Sequence, residues 1–396
     1  MIPEPTVKVR MRENGAGLWV SVYAEAQGVS LSYALSLSGT LVLGRWVQGV
    51  TQNPSEMMPN CVTQAFQAAI AEAWRFVGQT APNPAVGCTL LDEAGEVLVV
   101  AAHHRAGQLH AERLALEQAK QAGVFGRVHT AVVTLEPCNH TGRTRPCTEA
   151  LLESPVKIVW IGCPDPNPNV AGGGAACLTD AGVSVRWLTQ APNGTDLAAR
   201  CRALLAPFAM CMTQGRPWIT VKQALDQHGS MVPPAGQTTF TTLASLHFAH
   251  ALRRATDLVI TGTGTVVADN PTFTVRHVED HAERRRTLVV CGQSAHLPEH
   301  WLEQARCRFD VKVCPDVREL SAVLAETPAL WAMVEAGPTL LAALREQNLW
   351  DDWLTIRQDA SGTDHFSVTT RHTTTPLALF PEWAQCAEES PCFPES

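Results

Sequence analysis

The clearest periodicity in the chain begins at residue 60. Val62, Phe66, Ala69, Ile70 and Ala73 recur at helical spacing, which predicts an amphipathic helix running to about Val77. The two prolines of TAPNPAVG end it. VGCTLLDEAGEVLVVAAH then reads as two strands around a turn at Glu93-Ala94-Gly95. HAERLALEQAKQAG is a second amphipathic helix, stopped by Gly123, and HTAVVTLEP a buried strand. TEALLES opens a further helix, VKIVWIGC a strand, and CLTDAGVSVRWL a helix and a strand. Together these predict a three-layer α/β domain over 59–190. Residues 191–213, with DLAARCRALLAPFAM, read as a helical connector. Alternation resumes in GRPWITVKQAL, HFAHALRRATDLVI, TLVVCG and LWAMVEAGPTLLAAL, predicting a second α/β domain over 214–357. Residues 1–58 hold strand-like fragments broken by Gly and Ser, an extension of unknown role. Residues 358–396, polar and ending near Pro-Cys-Phe-Pro, predict a poorly ordered tail.

Composition narrows the classes of function. With 396 residues, 45% hydrophobic and 17% charged, the chain has core material for two ordinary globular domains. A net charge of −8 gives no basic footprint for nucleic acid. No apolar window reaches the length of a membrane helix, and no charged leader precedes a long apolar run at the start. The 13 cysteines, odd in number and without small-domain spacing, read as reduced thiols. The expectation is a cytoplasmic protein acting on a small molecule, without nucleic-acid or membrane partners, and compatible with a homo-oligomer.

Candidate chemistry concentrates between residues 103 and 147. His110, Cys138 and Cys147 are of the types that bind zinc, and three protein ligands leave a fourth position for water. Glu112 stands two residues after the histidine, at the start of a helix, placed to act beside the metal. Zinc supplies a water activated near neutral pH, and a neighbouring carboxylate can move its proton to a departing amine. The set suits hydrolytic deamination of an amino-substituted heterocycle. A lone cysteine is more often a small buried hydrophobe; here His-Ala-Glu opening a helix and Glu-Pro-Cys ending a strand coincide.

HAE, EPC-N-H-x-G-R-T-x-P-C, the upstream TAPNPAVGC and the downstream DPNPNVAG resemble the bifunctional deaminase–reductases of riboflavin biosynthesis, over roughly residues 59–357. The resemblance implies a cytidine-deaminase-like αβα domain followed by a dihydrofolate-reductase-like α/β domain. It further implies that Asn83, His103, His140, Arg143, Thr144, Asp165 and Asn167 contact or frame a phosphorylated pyrimidine. Arg143 suits a phosphate, since its planar fork pairs with phosphate oxygens. Arg145 departs from the family's usual proline; it could add to phosphate binding or be a solvated charge, and the second reading is preferred.

In the second half, TGTGTVVADNPTFTVR resembles the family closely. The resemblance places Gly262, Gly264, Thr265 and Val266 beside NADPH, Asp269 and Arg276 in the sugar-phosphate segment, and Glu335 and Gly337 in the turn beside the cofactor's phosphates. Lys222 and Asp226 would lie near the hydride transfer. The family's Ser-x-Asp-Gly is Asp226-Gln227-His228-Gly229 here, a departure that touches substrate placement.

The implied function is zinc-dependent deamination of 2,5-diamino-6-(5-phosphoribosylamino)pyrimidin-4-one, then NADPH-dependent reduction of its ribosyl group to ribityl. Three alternatives stand beside it: a deaminase with a degenerate reductase half, the same chemistry in a secondary pathway such as azapteridine synthesis, and a nucleic-acid base deaminase.

Overall fold

The computed structural model describes residues 6–14, 17–26, 29–31, 57–140, 145–167, 173–234, 236–237 and 239–380. Contacts divide the chain after Met57. In the first unit, β1 (Thr6–Asn14), β2 (Gly17–Ala26) and β3 (Val29–Leu31) form an antiparallel meander.

The second unit begins with α1 (Asn60–Trp74), whose apolar stripe Val62, Phe66, Ala69, Ile70 and Ala73 is buried. β4 (Gly87–Leu91) and β5 (Val97–Ala102) pair across the turn read from sequence. α2 (Ala111–Gln121), β6 (Thr130–Leu135), α3 (Cys147–Leu152), β7 (Ile158–Cys163), α4 (Gly173–Asp180) and β8 (Ser184–Trp187) follow. The sheet order is β5-β4-β6-β7-β8, with β6, β7 and β8 parallel. Every side chain of β4 and β6 is buried, as expected of strands covered on both faces.

α5 (Thr195–Gln214) is the helix read as a connector, but it is far more deeply packed than a connector needs to be. Leu197, Cys201, Leu204, Leu205, Pro207 and Met210 are among its buried residues. It packs against α1 and β7 on one side and against β9 (Trp218–Leu225) on the other. Beyond it come α6 (Leu243–Ala255), β10 (Leu258–Gly262), α7 (Thr263–Asp269), β11 (Arg286–Cys291), α8 (Glu299–Arg308) and β12 (Phe309–Cys314). α9 (Leu320–Ala325), β13 (Trp331–Val334), α10 (Pro338–Glu346), β14 (Asp352–Gln358) and β15 (Asp364–Thr370) complete the described chain. The second sheet runs β12-β11-β10-β13-β9-β14-β15, parallel except for β15. One apolar core runs from Phe66 and Ile70 under the first sheet to Trp331, Leu354 and Phe380 under the second. Among the described residues no helix is long and apolar enough to cross a membrane.

The expectation of a poorly ordered tail from residue 358 is corrected for residues 358–380. β15 pairs with β14 along its whole length, from Asp352↔Thr370 to Gln358↔Asp364. As an edge strand it exposes alternate residues, so Phe366 and Val368 are diluted by His365, Ser367 and Thr369 and the apolar signal is weak. The chain then turns back at Pro376–Leu379, buries Leu377, and sets Phe380 edge-on to Trp74 of α1 at 4.8 Å between centroids. Residues 381–396 lie outside the described residues.

Two adjacent buried carboxylates hold this return. Asp351 accepts from Arg216, the Ile219 amide and His372. Asp352 accepts from Trp218 Nε1 at 2.8 Å and Thr375 Oγ1 at 2.7 Å. Burial pushes the Asp352 carboxyl up to about 6, against those hydrogen bonds. The folded protein therefore holds this proton more tightly than the unfolded chain. Its contribution to stability is complete below about pH 4 and is lost as the pH rises through about 6. Asp352→Asn keeps an acceptor but cannot ionise, so its melting temperature should gain on the parent's by about 2 °C or more between about pH 5 and about pH 8. A difference that stays flat over that range would refute the assignment.

Candidate active site and metal centre

Three elements of the first sheet deliver the ligand set. His110 is the residue from which α2 starts, Cys138 follows the end of β6, and Cys147 begins α3. Their ligand atoms all lie within 4.8 Å of one another. His110 Nδ1 is 3.5 Å from Cys138 Sγ and 3.4 Å from Cys147 Sγ. A tetrahedral zinc with bonds of ~2.3 Å to sulfur and ~2.0 Å to nitrogen sets neighbouring ligand atoms about 3.5 Å apart, so the donor set fits zinc in both type and spacing.

One of the two thiols, Cys138, is already biased toward the thiolate that binds a cation. The Cys147 amide donates to Cys138 Sγ at 3.3 Å, and hydrogen bonding from the Cys147 thiol, with His110 beside it, brings Cys138 down to about 4. Arg113 of α2 donates to the carbonyls of Arg145 and Pro146, tying down the far end of the loop between the cysteines. Arg145 itself is exposed and pairs with Glu149, the solvated charge expected. Glu112 lies in the first turn of α2 and is 3% exposed. Burial, and then the Cys138 charge, pushes its carboxyl up to about 7, where a group can both take and give a proton.

These residues open onto a cleft of about 430 Å³. Asn83, His103, His140, Asp165 and Asn167 line it, as do His110, Glu112 and Cys138. Arg143 and Thr144 lie outside the described residues. Sequence reading missed Glu136, which is buried and accepts from the amides of Asp165, Gly174 and Ala175, tying Asp165 and the start of α4 to the segment that carries Cys138. It also missed Phe208 and Met212, four apart on α5, which form an apolar wall of the cleft. Their helical spacing was visible, but nothing in it distinguished a site wall from ordinary core.

The second group of candidates gathers at the carboxyl ends of β10 and β13, where open parallel sheets bind ligands. Gly262 precedes α7, and the Gly337 amide at the start of α10 donates to Thr265 Oγ1 at 3.0 Å. A side chain at Gly264 would meet nothing within 4 Å, leaving the backbone open to close approach. The neighbouring Thr261 hydroxyl is buried without a hydrogen-bond partner among the described residues. This edge fits a dinucleotide. Val266 is buried beneath it, and Asp269 is exposed at the end of α7.

Lys222 lies 3.5 Å from Glu335, which also takes a paired contact from Arg253. Burial opposes ionisation of Glu335, but Arg253 and Lys222 hold its carboxyl down to about 2. Arg253, absent from the sequence reading, also bonds the Thr274 carbonyl and touches His250, which accepts from the Arg276 amide at 2.9 Å. Asp226 is committed to its turn, accepting from His228 N at 2.9 Å and Ser230 N at 2.7 Å.

Residues 59–163 match the family model of the cytidine and deoxycytidylate deaminase zinc-binding region, and residues 217–356 match the RibD C-terminal domain. The chain is 36% identical over 304 residues to the riboflavin biosynthesis protein RibD of Corynebacterium ammoniagenes, covering 75% of this chain and 85% of that one. To the Escherichia coli (strain K12) RibD it is 31% identical over 317 residues, covering 72% and 83%. Acinetobacter baumannii RibD, form 1, superposes with a TM-score of 0.63 at 31% identity, covering 76% of this chain and 87% of that one. The Thermotoga maritima diaminohydroxyphosphoribosylaminopyrimidine deaminase/5-amino-6-(5-phosphoribosylamino)uracil reductase superposes with a TM-score of 0.65 at 25% identity, covering 81% and 90%.

Two substitutions test this construction. A Cβ at Gly174 would stand 1.8 Å from the Pro137 carbonyl oxygen. Gly174→Ala should therefore destabilise by about 1–3 kcal/mol and lower zinc content, as read by thermal denaturation and metal analysis. Phe208→Ala should keep zinc and raise KM for deamination about tenfold, the loss of one well-buried apolar contact. An unchanged KM would remove α5 from the cleft's working surface.

Proposed function

The chain belongs to the RibD family of bifunctional riboflavin-biosynthesis deaminase/reductases, and on that premise we propose which of its residues carry the two reactions. The enzyme deaminates 2,5-diamino-6-(5-phosphoribosylamino)pyrimidin-4-one and then reduces the ribosyl group to ribityl, using Zn²⁺ and NADPH. The observation that carries the residue assignment is the His110–Cys138–Cys147 set at 3.4–3.5 Å with buried Glu112 on the same cleft.

His110, Cys138 and Cys147 hold zinc, which when bound supplies a water activated near neutral pH. Glu112 takes a proton from the attacking water and passes it to the departing amino group, and the water's second proton ends on the ring nitrogen beside the new carbonyl. The ring carbon–nitrogen bond breaks, the water oxygen remains as the ring carbonyl, and ammonia leaves. Asn83 and His140 meet the pyrimidine, while Asp165 and Asn167 shape the far wall of the cleft. Phe208 and Met212 exclude water from the ring's apolar face. Arg143 and Thr144 are assigned to the substrate's phosphate on the family resemblance.

NADPH, when bound, supplies the hydride at the second site. Gly262, Gly264, Thr265 and Gly337 would hold it at the carboxyl ends of β10 and β13, with Val266 buried beneath as their support. Asp269 and Arg276 are assigned to the sugar-phosphate segment. Lys222, held by Glu335, and Asp226, which fixes the turn at the end of β9, would lie near the hydride transfer. The deaminase occupies 59–190 and the reductase runs from 214 through β15, beyond the 357 boundary read from sequence. The net charge of −8 supports a small-molecule substrate rather than a nucleic-acid one, and a cytoplasmic setting is part of the same reading.

Glu112→Ala should retain zinc yet lose deamination by about 10²–10⁴-fold, while still reducing the deaminated pyrimidine with NADPH. Mass analysis of the products, with and without NADPH, reads both steps. Full deamination by the variant would sink the proton-transfer role, and failure to reduce supplied deaminated substrate would sink the reductase assignment.

A further inference from the structure

His103 uses both ring nitrogens inside the protein. Nδ1 lies 3.0 Å from the Leu109 carbonyl oxygen, and Nε2 lies 3.1 Å from Asn83 Nδ2. A carbonyl can only accept, so Nδ1 must carry the proton. Nε2 meets the Asn83 amide nitrogen, which can only donate, so Nε2 accepts and the ring is the neutral Nδ1–H form. Asn83 thus turns its NH₂ toward His103. Its Oδ1, without a hydrogen-bond partner among the described residues, is left for the cleft that Asn83 lines. The ring is 2% exposed, so neither nitrogen is shared with bulk water. The His103 amide, bonded to the Val86 carbonyl at 2.9 Å, fixes the backbone behind it.

We propose that His103 is a positioning residue that locks the amide of Asn83 with its oxygen toward the cleft, so that the site presents a hydrogen-bond acceptor to an N–H of the aminopyrimidine. A flipped amide would offer a donor there and meet the substrate's N–H with like polarity. A near-isosteric Asn83 with a free amide would spend part of its time in that state. The inference rests on the assignment of Asn83 to the substrate and replaces direct contact by His103 with action through its neighbour.

A double-mutant cycle on the zinc-loaded full chain separates the possibilities. Asn83→Ala should raise KM for deamination by about 3- to 10-fold, the worth of one hydrogen bond. His103→Leu should raise KM within the same range of about 3- to 10-fold, with zinc content unchanged. In the Asn83→Ala background, His103→Leu should add nothing. A full His103 effect in that background would overturn the proposal, because His103 would then act on the substrate independently. Loss of zinc from His103→Leu would overturn it too, since the ring packs edge-on to His110 at 5.4 Å between centroids and would then serve the metal ligand. An unchanged KM for Asn83→Ala would fail the underlying assignment instead. On the parent enzyme, long-range ¹H–¹⁵N correlation should show His103 as the neutral Nδ1–H tautomer; the Nε2–H tautomer would overturn the proposal without any variant.

Discussion

Three ligand atoms must come together within 4.8 Å on segments that end separately in the chain, and the first half of the enzyme is built to meet that demand. α2 and α3 both begin at the site, so their free amides face the place where negative charge collects. The Cys147 amide is bonded to Cys138 Sγ and the Thr148 amide to the Cys138 carbonyl, so the start of α3 and the end of the β6 loop close on each other. Glu136 then carries the constraint outward by clamping the start of α4, with Gly174 pressed so closely on the Pro137 carbonyl that no side chain fits. A buried carboxylate with several amide donors is a rigid fixture, because each unpaired donor would carry its own desolvation cost.

The two sheets are not independent bodies joined by a linker. α5 is apolar on enough of its surface that it must be covered from several directions, and the chain covers it with α1 and β7, β9, and the return at Pro376–Leu379. The same helix places Phe208 and Met212 on the deaminase cleft. A pocket wall and an interdomain joint are thus one element. Packing changes on the β9 side of α5 are therefore coupled physically to the wall of the cleft that Phe208 and Met212 form.

On the second sheet the governing group is Glu335. A carboxylate buried at that depth is tolerable when it is multiply paired, and Arg253 and Lys222 supply the pairing. Arg253 spans from Glu335 to the Thr274 carbonyl and His250, so the charge cluster also fixes the segment that leads to Arg276. Lys222 keeps its ammonium at the carboxyl end of β13 because Glu335, 3.5 Å away, holds it there.

The sequence by itself determined the periodic elements and the local chemistry. Val62–Ala73 could hardly be other than a half-buried helix, and His-Ala-Glu with Glu-Pro-Cys brought ligand types and a carboxylate to helix and strand ends, where rigid placement follows from position alone. Tertiary structure decided whatever depends on contacts between distant segments. Phe208 and Met212 look like any apolar pair on a helix until α5 is laid across the cleft, and Arg253 looks like a surface cation until Glu335 reaches it from 82 residues away. β15 was read as disordered because an edge strand buries half its residues, and two apolar side chains in seven give little signal. The orientation of Asn83 is of the same kind. An amide has two nearly isosteric faces, and which one meets the substrate is set by a histidine twenty residues on whose own proton is placed by a backbone carbonyl.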